Sequence, residues 1–303
     1  MLRTYAGQGG QLVPLDVVED CVAQNVLWCD LLDPTPDEIR LIEERLSIDI
    51  PTRDEMSEIE PSARLYEEGG AEFMTMTAVT RADGDEPVKA PVTFILSGNT
   101  LVTVRHDDPR AFGIFAAKAQ RPGAAPVTTG ETVMLGIVET LVDRIADALE
   151  RIDDETDAIS REVFRNKAKK VSKKTRDLQS LIERIGTKGD LLAKIRESLV
   201  SISRLAAYHS ARRMTKTEKE LQQRIKLVQR DTGSLADHAI FLSGKINFLL
   251  DATLGLINLE QNQIIKIFSV ASVALLPPTL VASVYGMNFD VMPELHWTYG
   301  YLW

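Results

Sequence analysis

IFSVASVALLPPTLVASVY, Ile267 to Tyr285, is a run of 19 uncharged residues in a chain of 303 of which 26% are charged. At about 1.5 Å of rise per residue, a helix of this length roughly matches the hydrocarbon core of a bilayer. The run therefore reads as a transmembrane helix, with a buried core helix as the competing reading. The flanks favour the membrane. Lys266 stands at one end, and neither Lys nor Arg occurs from Ile267 to Trp303. Trp297, Tyr299, Tyr301 and Trp303 supply the amphipathic rings that collect at a membrane interface. Positive-inside reasoning places residues 1 to about 265 in the cytoplasm and the far end outside.

Inside the run the polar side chains are Ser269, Ser272, Thr279 and Ser283, at spacings of three, seven and four, with Leu276 filling the gap. Extended backwards, this face passes Ile265 and reaches Asn262. Small hydroxylic residues also let helices pack closely, so a packing face remains the alternative. Pro277-Pro278 frees backbone carbonyls in mid-membrane, which is tolerated where they face protein or a water-filled cavity. A single helix cannot enclose a pore, so a pore requires a symmetric homo-oligomer with this helix on the axis. A membrane-anchored coiled-coil scaffold is the reading from another class.

Upstream, no proline occurs from Val127 to Leu276, and Val138, Leu141, Val142, Ile145, Leu149 and Ile152 recur at helical spacing. The pattern predicts long amphipathic helices. A turn is expected at Gly186 with Gly189, and a second break between Tyr208 and Thr217. The basic run RNKAKKVSKKTR, Arg165 to Arg176, is read as the solvated face of a long helix. Before residue 130 the chain reads as mixed α/β. Thr35 with Glu38 and Thr52 with Glu55 form capping-box patterns. EFMTMTAVT, PVTFIL and TLVTVRH are strand-like, and Ser97-Gly98-Asn99 turns the last two into a hairpin. The expected division is 1–130 (α/β domain), 131–263 (helical bundle and stalk), 264–286 (transmembrane helix) and 287–303 (extracytoplasmic loop).

The formal net charge of −9 is unevenly spread. Up to Gly130 there are 22 acidic and 11 basic side chains; beyond it there are 22 and 24. An acidic face disfavours nucleic acid and favours cations or basic partners. The first thirty residues lack an uninterrupted apolar stretch, so no secretory signal is expected. Cys21 and Cys29 are expected to be reduced thiols. Histidines 106, 209, 238 and 296 are scattered, and no nucleophile–base constellation or phosphate loop emerges. The chain does not read as an enzyme, and no organic cofactor is expected.

The residues beyond the apolar run are more specific. Tyr285-Gly286-Met287-Asn288-Phe289, with Met292-Pro293-Glu294-Leu295 after it, resembles the membrane-end signature of the CorA family of magnesium channels. KINFLLDATLGLINLEQNQIIKIFSVASVALLPPTL, LWCDLLDPTPDE and PTRDEMSEIEPSARLYEE resemble the same family, so the likeness spans nearly the whole chain. The resemblance implies a funnel-shaped homopentamer in the bacterial inner membrane. Each subunit would carry a cytoplasmic α/β domain and a long stalk helix continuous with the first membrane helix. The transported ion would be magnesium, with cobalt and nickel as companions, and intracellular magnesium would also gate the channel. Gly286, Met287 and Asn288 would form the selectivity filter. Asn262, Ile265, Phe268, Ser272, Leu276 and Thr279 would line the pore, with Phe268 rather than Ser269 innermost and the bulky apolar members acting as a gate.

A neutral asparagine suits this task. Magnesium sheds its water reluctantly, so amide oxygens that accept hydrogen bonds from its bound waters hold it weakly enough for release. Asp290 and Glu294 would attract cations from a distance. Asp231 and Asp237 are candidates for the regulatory magnesium site. The resemblance also implies a second membrane helix after Gly300-Tyr301; with the sequence ending at Trp303, a truncated sequence is expected. A zinc-transporting branch of the superfamily is the nearest functional competitor.

Overall fold

The computed structural model describes residues 1–15, 25–82, 84, 86–165, 171–212, 219–288, 292 and 296–299. The strands β1 (Leu2–Gln8), β2 (Gln11–Leu15), β3 (Val26–Leu32), β4 (Leu65–Glu68), β5 (Ala71–Thr80), β6 (Val88–Ser97) and β7 (Thr100–Arg105) form one sheet in the order β2-β1-β3-β7-β6-β5-β4. Every pairing is antiparallel except that of β3 with β7. The expected hairpin is β6–β7. Ser97 pairs with Thr100, and Gly98 takes a φ of 58° in the two-residue loop, a conformation open to glycine.

Three short helices, α1 (Pro36–Leu46), α2 (Arg53–Met56) and α3 (Pro61–Arg64), lie between β3 and β4. Both expected capping boxes close: Thr35 caps α1 with Glu38 reaching back, and Thr52 with Glu55 does the same for α2. Next come α4 (Arg110–Ala119) and three long helices, α5 (Gly130–Arg165), α6 (Val171–Arg212) and α7 (Lys219–Tyr285). The sheet is covered on both faces, which is why its central strands are nearly continuous in apolar residues. In β6, Ile95 belongs to a core with Ile42 and Met56 on the α1–α2 side. Its neighbours Phe94 and Leu96 belong to a larger core with Phe112 and Phe115 of α4.

That larger core runs without a break into the helices. Val138, Leu141, Val142, Ile145, Leu149 and Ile152 of α5 are all buried in it, together with Leu192, Ile195 and Leu199 of α6 and Leu242, Ile246 and Leu249 of α7. Gly130 explains how α5 can start so close to the sheet. A Cβ there would stand 2.5 Å from the backbone nitrogen of Leu101, so only glycine fits.

The parallel β3–β7 pair is tied by a buried ion pair. Arg105 donates from Nε and Nη2 to the two carboxylate oxygens of Asp30, at 2.9 and 2.7 Å. Asp30 also accepts from Thr103 at 2.8 Å, and the Arg105 guanidinium lies 4.5 Å from the centre of the Phe112 ring. Charge and hydrogen-bonding partners are both supplied here, the condition under which a buried pair is tolerated.

One expectation is corrected. Gly186 and Gly189 do not make a turn; both lie within α6. Glycine weakens a helix by about 1 kcal/mol relative to alanine, and the buried stripe of Leu178, Leu181, Ile185, Leu192 and Ile195 on either side outweighs that. Of the basic run from Arg165 to Arg176, residues 166–170 lie outside the described residues; α5 ends at Arg165 and α6 begins at Val171, and the two helices lie back against each other, as the pairs Arg184–Glu162 and Lys188–Glu155 require. The second expected break agrees with α6 ending at Arg212 and α7 beginning at Lys219.

Candidate functional site: a membrane-length helix and its mouth

α7 is a single helix of 67 residues, so its N-terminal half and its apolar half share one axis and one register. With 3.6 residues per turn, Asn262, Ile265, Phe268, Ser272, Leu276 and Thr279 fall within an arc of roughly 120°. The structure thus brings the six expected pore residues onto one face of one continuous helix. From Ile265 to Tyr285 every side chain is exposed in the single chain. An apolar surface of this extent is at home only against lipid or other helices.

Pro277 and Pro278 lie inside α7 without ending it. Proline has no N–H for the carbonyl four residues earlier, so the carbonyls of Val273 and Ala274 lose their intrahelical donors. Two backbone acceptors are thereby freed within the apolar segment. The Thr279 hydroxyl spends its proton on the Leu275 carbonyl at 2.7 Å. Its oxygen is left as an acceptor, and acceptors are what the bound waters of a cation require.

The helix stops at the signature. Gly286 N–H donates to Ala282 at 2.9 Å and Met287 N–H to Val284 at 3.2 Å, a tight last turn after which Asn288 is exposed. Asn288 therefore sits just beyond the C-terminal end of the helix that carries the six expected pore residues. Asp290 and Glu294 lie outside the described residues. Trp297 and Tyr299 are both exposed, as interfacial rings should be.

In the N-terminal half of α7, Asp231 is half-buried and Asp237 is exposed. Six residues apart, they stand about 120° from each other around the axis, so α7 alone does not bring them to one ion. Asp231 pairs with Arg230 at 3.2 Å. Among the described residues, no three His, Cys, Asp or Glu side chains of one chain converge into a metal site. Sequence reasoning passed over a neighbouring feature. Burial pushes the Asp143 carboxyl up, and the charges of Asp147, Glu139 and Asp231 push it further against the opposing pull of Lys118. Glu139, Asp143 and Asp147 recur every four residues along α5, and that spacing was the available signal.

Fold and site together define the class: a membrane protein whose α/β head rides on long helices, one of which continues as a membrane-length segment. The chain belongs to the CorA-like Mg2+ transporter family, whose model matches residues 23–303. It is 33% identical over 302 residues to a magnesium transport protein CorA of Yersinia pseudotuberculosis, covering 99% of this chain and 92% of that protein. Against the magnesium transport protein CorA of Escherichia coli K12 it is 33% identical over 301 residues, with the same coverage. Among solved structures, the complete CorA magnesium transporter of Methanocaldococcus jannaschii shares the fold at a TM-score of 0.73 and 19% identity, covering 100% of this chain and 92% of that one.

Proposed function

We propose that this protein carries magnesium into the cell across the bacterial inner membrane, as a homopentameric channel with α7 around the axis. The observation that supports it most directly is the uninterrupted α7, which presents Asn262, Ile265, Phe268, Ser272, Leu276 and Thr279 on one face and ends at Gly286-Met287-Asn288. The reading divides the chain into head (1–130), bundle and stalk (131–263), pore helix (264–286) and outer loop (287–303). Asn288 holds the hydrated ion at the outer mouth and Thr279 offers a second ring of acceptors. Ile265, Phe268 and Leu276 form an apolar constriction that closes by dewetting. Asp290 and Glu294, repeated around the axis, concentrate cations outside.

The ion preference is tested by uptake through the full-length gene product in a magnesium-starved host. Magnesium uptake with weaker cobalt and nickel uptake is expected; uptake of zinc alone would remove the magnesium reading and leave the zinc-transporting branch in its place.

Regulation by intracellular magnesium is assigned to the carboxylates at the α5–α7 seam. Ionised Asp143, Asp147, Glu139 and Asp231 repel one another, and a divalent cation shared with a neighbouring subunit relieves that repulsion and favours the closed state. Asp237, exposed on α7, is the second candidate from that helix. The expected result is that magnesium slows proteolysis of the cytoplasmic part of the assembled protein, and that Asp143→Asn weakens this protection several-fold. Proteolysis indifferent to magnesium would count against the sensing role.

A further inference from the structure

A cavity of about 360 Å3 lies between the end of β5, the start of α4 and the facing sides of α5 and α6, away from the pore helix. Its walls divide by chemistry. Leu141 and Ile145 of α5 and Ile195 of α6 give it an apolar floor. Arg81, which comes just after β5, Arg110 of α4 and Arg144 of α5 reach it from three different elements. The first turn of α4 forms part of the same wall, and its N-cap is Pro109, which offers no side-chain oxygen to the first N–H groups. Past Arg110 and Arg144 the space opens into a second hollow lined by Arg151 and by Lys188, which is paired with Glu155 at 2.6 Å.

A cluster of this sign runs against the chain as a whole, whose net charge is −9. The carboxylates nearby are already engaged: Asp108 lines the cavity but is held by Arg105, and Asp147 meets Arg144 at 3.4 Å. The arginines have contacts within the protein as well. A guanidinium carries five N–H donors in a planar fork, so it keeps such a contact and still donates to an anion. The volume falls within the range of about 300–1,000 Å3 usual for small-ligand sites.

We propose that this cavity binds a phosphorylated organic anion of mononucleotide size, with Arg81, Arg110 and Arg144 on the phosphate and Leu141, Ile145 and Ile195 under the organic part. Bidentate guanidinium–phosphate contacts supply the orientation, and the apolar floor separates such a ligand from inorganic phosphate. None of these residues lies on the pore face or supplies a carboxylate to the acidic seam; Arg144 touches that seam through Asp147, so the test leaves Arg144 in place.

The test is calorimetric titration of the full-length protein in detergent with AMP and, separately, with inorganic phosphate. AMP is expected to bind saturably and at least about tenfold more tightly than phosphate. The double variant Arg81→Gln/Arg110→Gln is expected to weaken AMP at least about tenfold while its melting temperature and magnesium uptake stay as in the parent. Absence of saturable AMP binding by the parent, or equal binding by a folded double variant, overturns the site. Phosphate binding as tight as AMP overturns the assignment of an organic ligand.

Discussion

Asn288→Ala is expected to abolish magnesium uptake by the full-length gene product while leaving its assembly intact. Asn288 is exposed just beyond the last turn of α7, with no role in the packing of the single chain, so its removal should not disturb the fold. What is lost is an amide oxygen per subunit facing the waters of the ion. A hydrogen bond to a charged partner contributes about 1.5–3 kcal/mol. Each 1.4 kcal/mol is about tenfold in an equilibrium, so even one lost contact lowers occupancy at the mouth by roughly 10- to 100-fold. Radioisotope or fluorescent-indicator uptake, read together with the size of the assembly in detergent, gives the answer. Normal uptake by an assembled variant would remove the filter assignment. Asn288→Asp separates holding from attracting: a ring of carboxylates should bind cations more tightly and release them more slowly.

His209→Ala is expected to destabilise the α/β head and its helices by about 3–5 kcal/mol, the usual effect of removing one partner from a buried ionic network. His209, near the end of α6, is almost fully buried. Its Nδ1 lies 2.9 Å from Glu72 of β5 and its Nε2 lies 2.9 Å from Glu131 in the first turn of α5. With a carboxylate on each nitrogen, the ring is held as an imidazolium that joins sheet, α5 and α6 at one point. Arg212 adds contacts to Glu72 and Glu67, and Arg224 pairs with Glu139 on α5.

These contacts set the pH dependence. Burial pulls the His209 pKa down, but the hydrogen bonds and charges of Glu131 and Glu72 outweigh it and hold the pKa above 6.5. A histidine raised in the folded state stabilises fully below its unfolded pKa, and that contribution is lost as pH rises through the folded value. Glu72 works in the opposite sense. Burial pulls it up, but His209 and Arg212 hold it below 4.5, so its contribution is lost as pH falls through the folded value. Stability should therefore decline on both sides of a plateau whose alkaline edge belongs to His209. Thermal melts of the parent and of His209→Gln across that edge check the assignment. Gln offers a donor but no titration, so a variant with an unchanged alkaline decline would show that another group is responsible.

Much of this architecture was legible in the sequence, for identifiable reasons. The membrane helix needed only its length and lack of charge. The capping boxes at Thr35 and Thr52 are local patterns in which the chain contacts itself within a few residues, and both closed. The β6–β7 hairpin was readable because two β-branched runs flank a glycine-containing turn. The strands β1, β2 and β4 carried too little apolar signal for this. They are held by partners elsewhere in the chain, as when Tyr5 of β1 stacks on Trp28 of β3 at 4.6 Å. The false turn at Gly186 and Gly189 shows the limit of a local rule: a modest propensity loss was outweighed by packing against distant residues.

By itself, then, the sequence determined the membrane-length apolar segment, the helical character of the second half, the shared helical face of Asn262, Ile265, Ser272 and Thr279, and the Gly-Met-Asn ending. Each depends on spacing along one strand or helix, where period and length carry the information. Only the tertiary structure decided that α7 runs unbroken from the helical core into the membrane-length segment, through Pro277-Pro278. It alone placed Asp231 near Asp143, His209 between Glu72 and Glu131, and three arginines around one cavity. Those juxtapositions join residues up to 137 positions apart, as His209 and Glu72 are. Such distances are set by how faces pack, which no periodicity within a single element encodes.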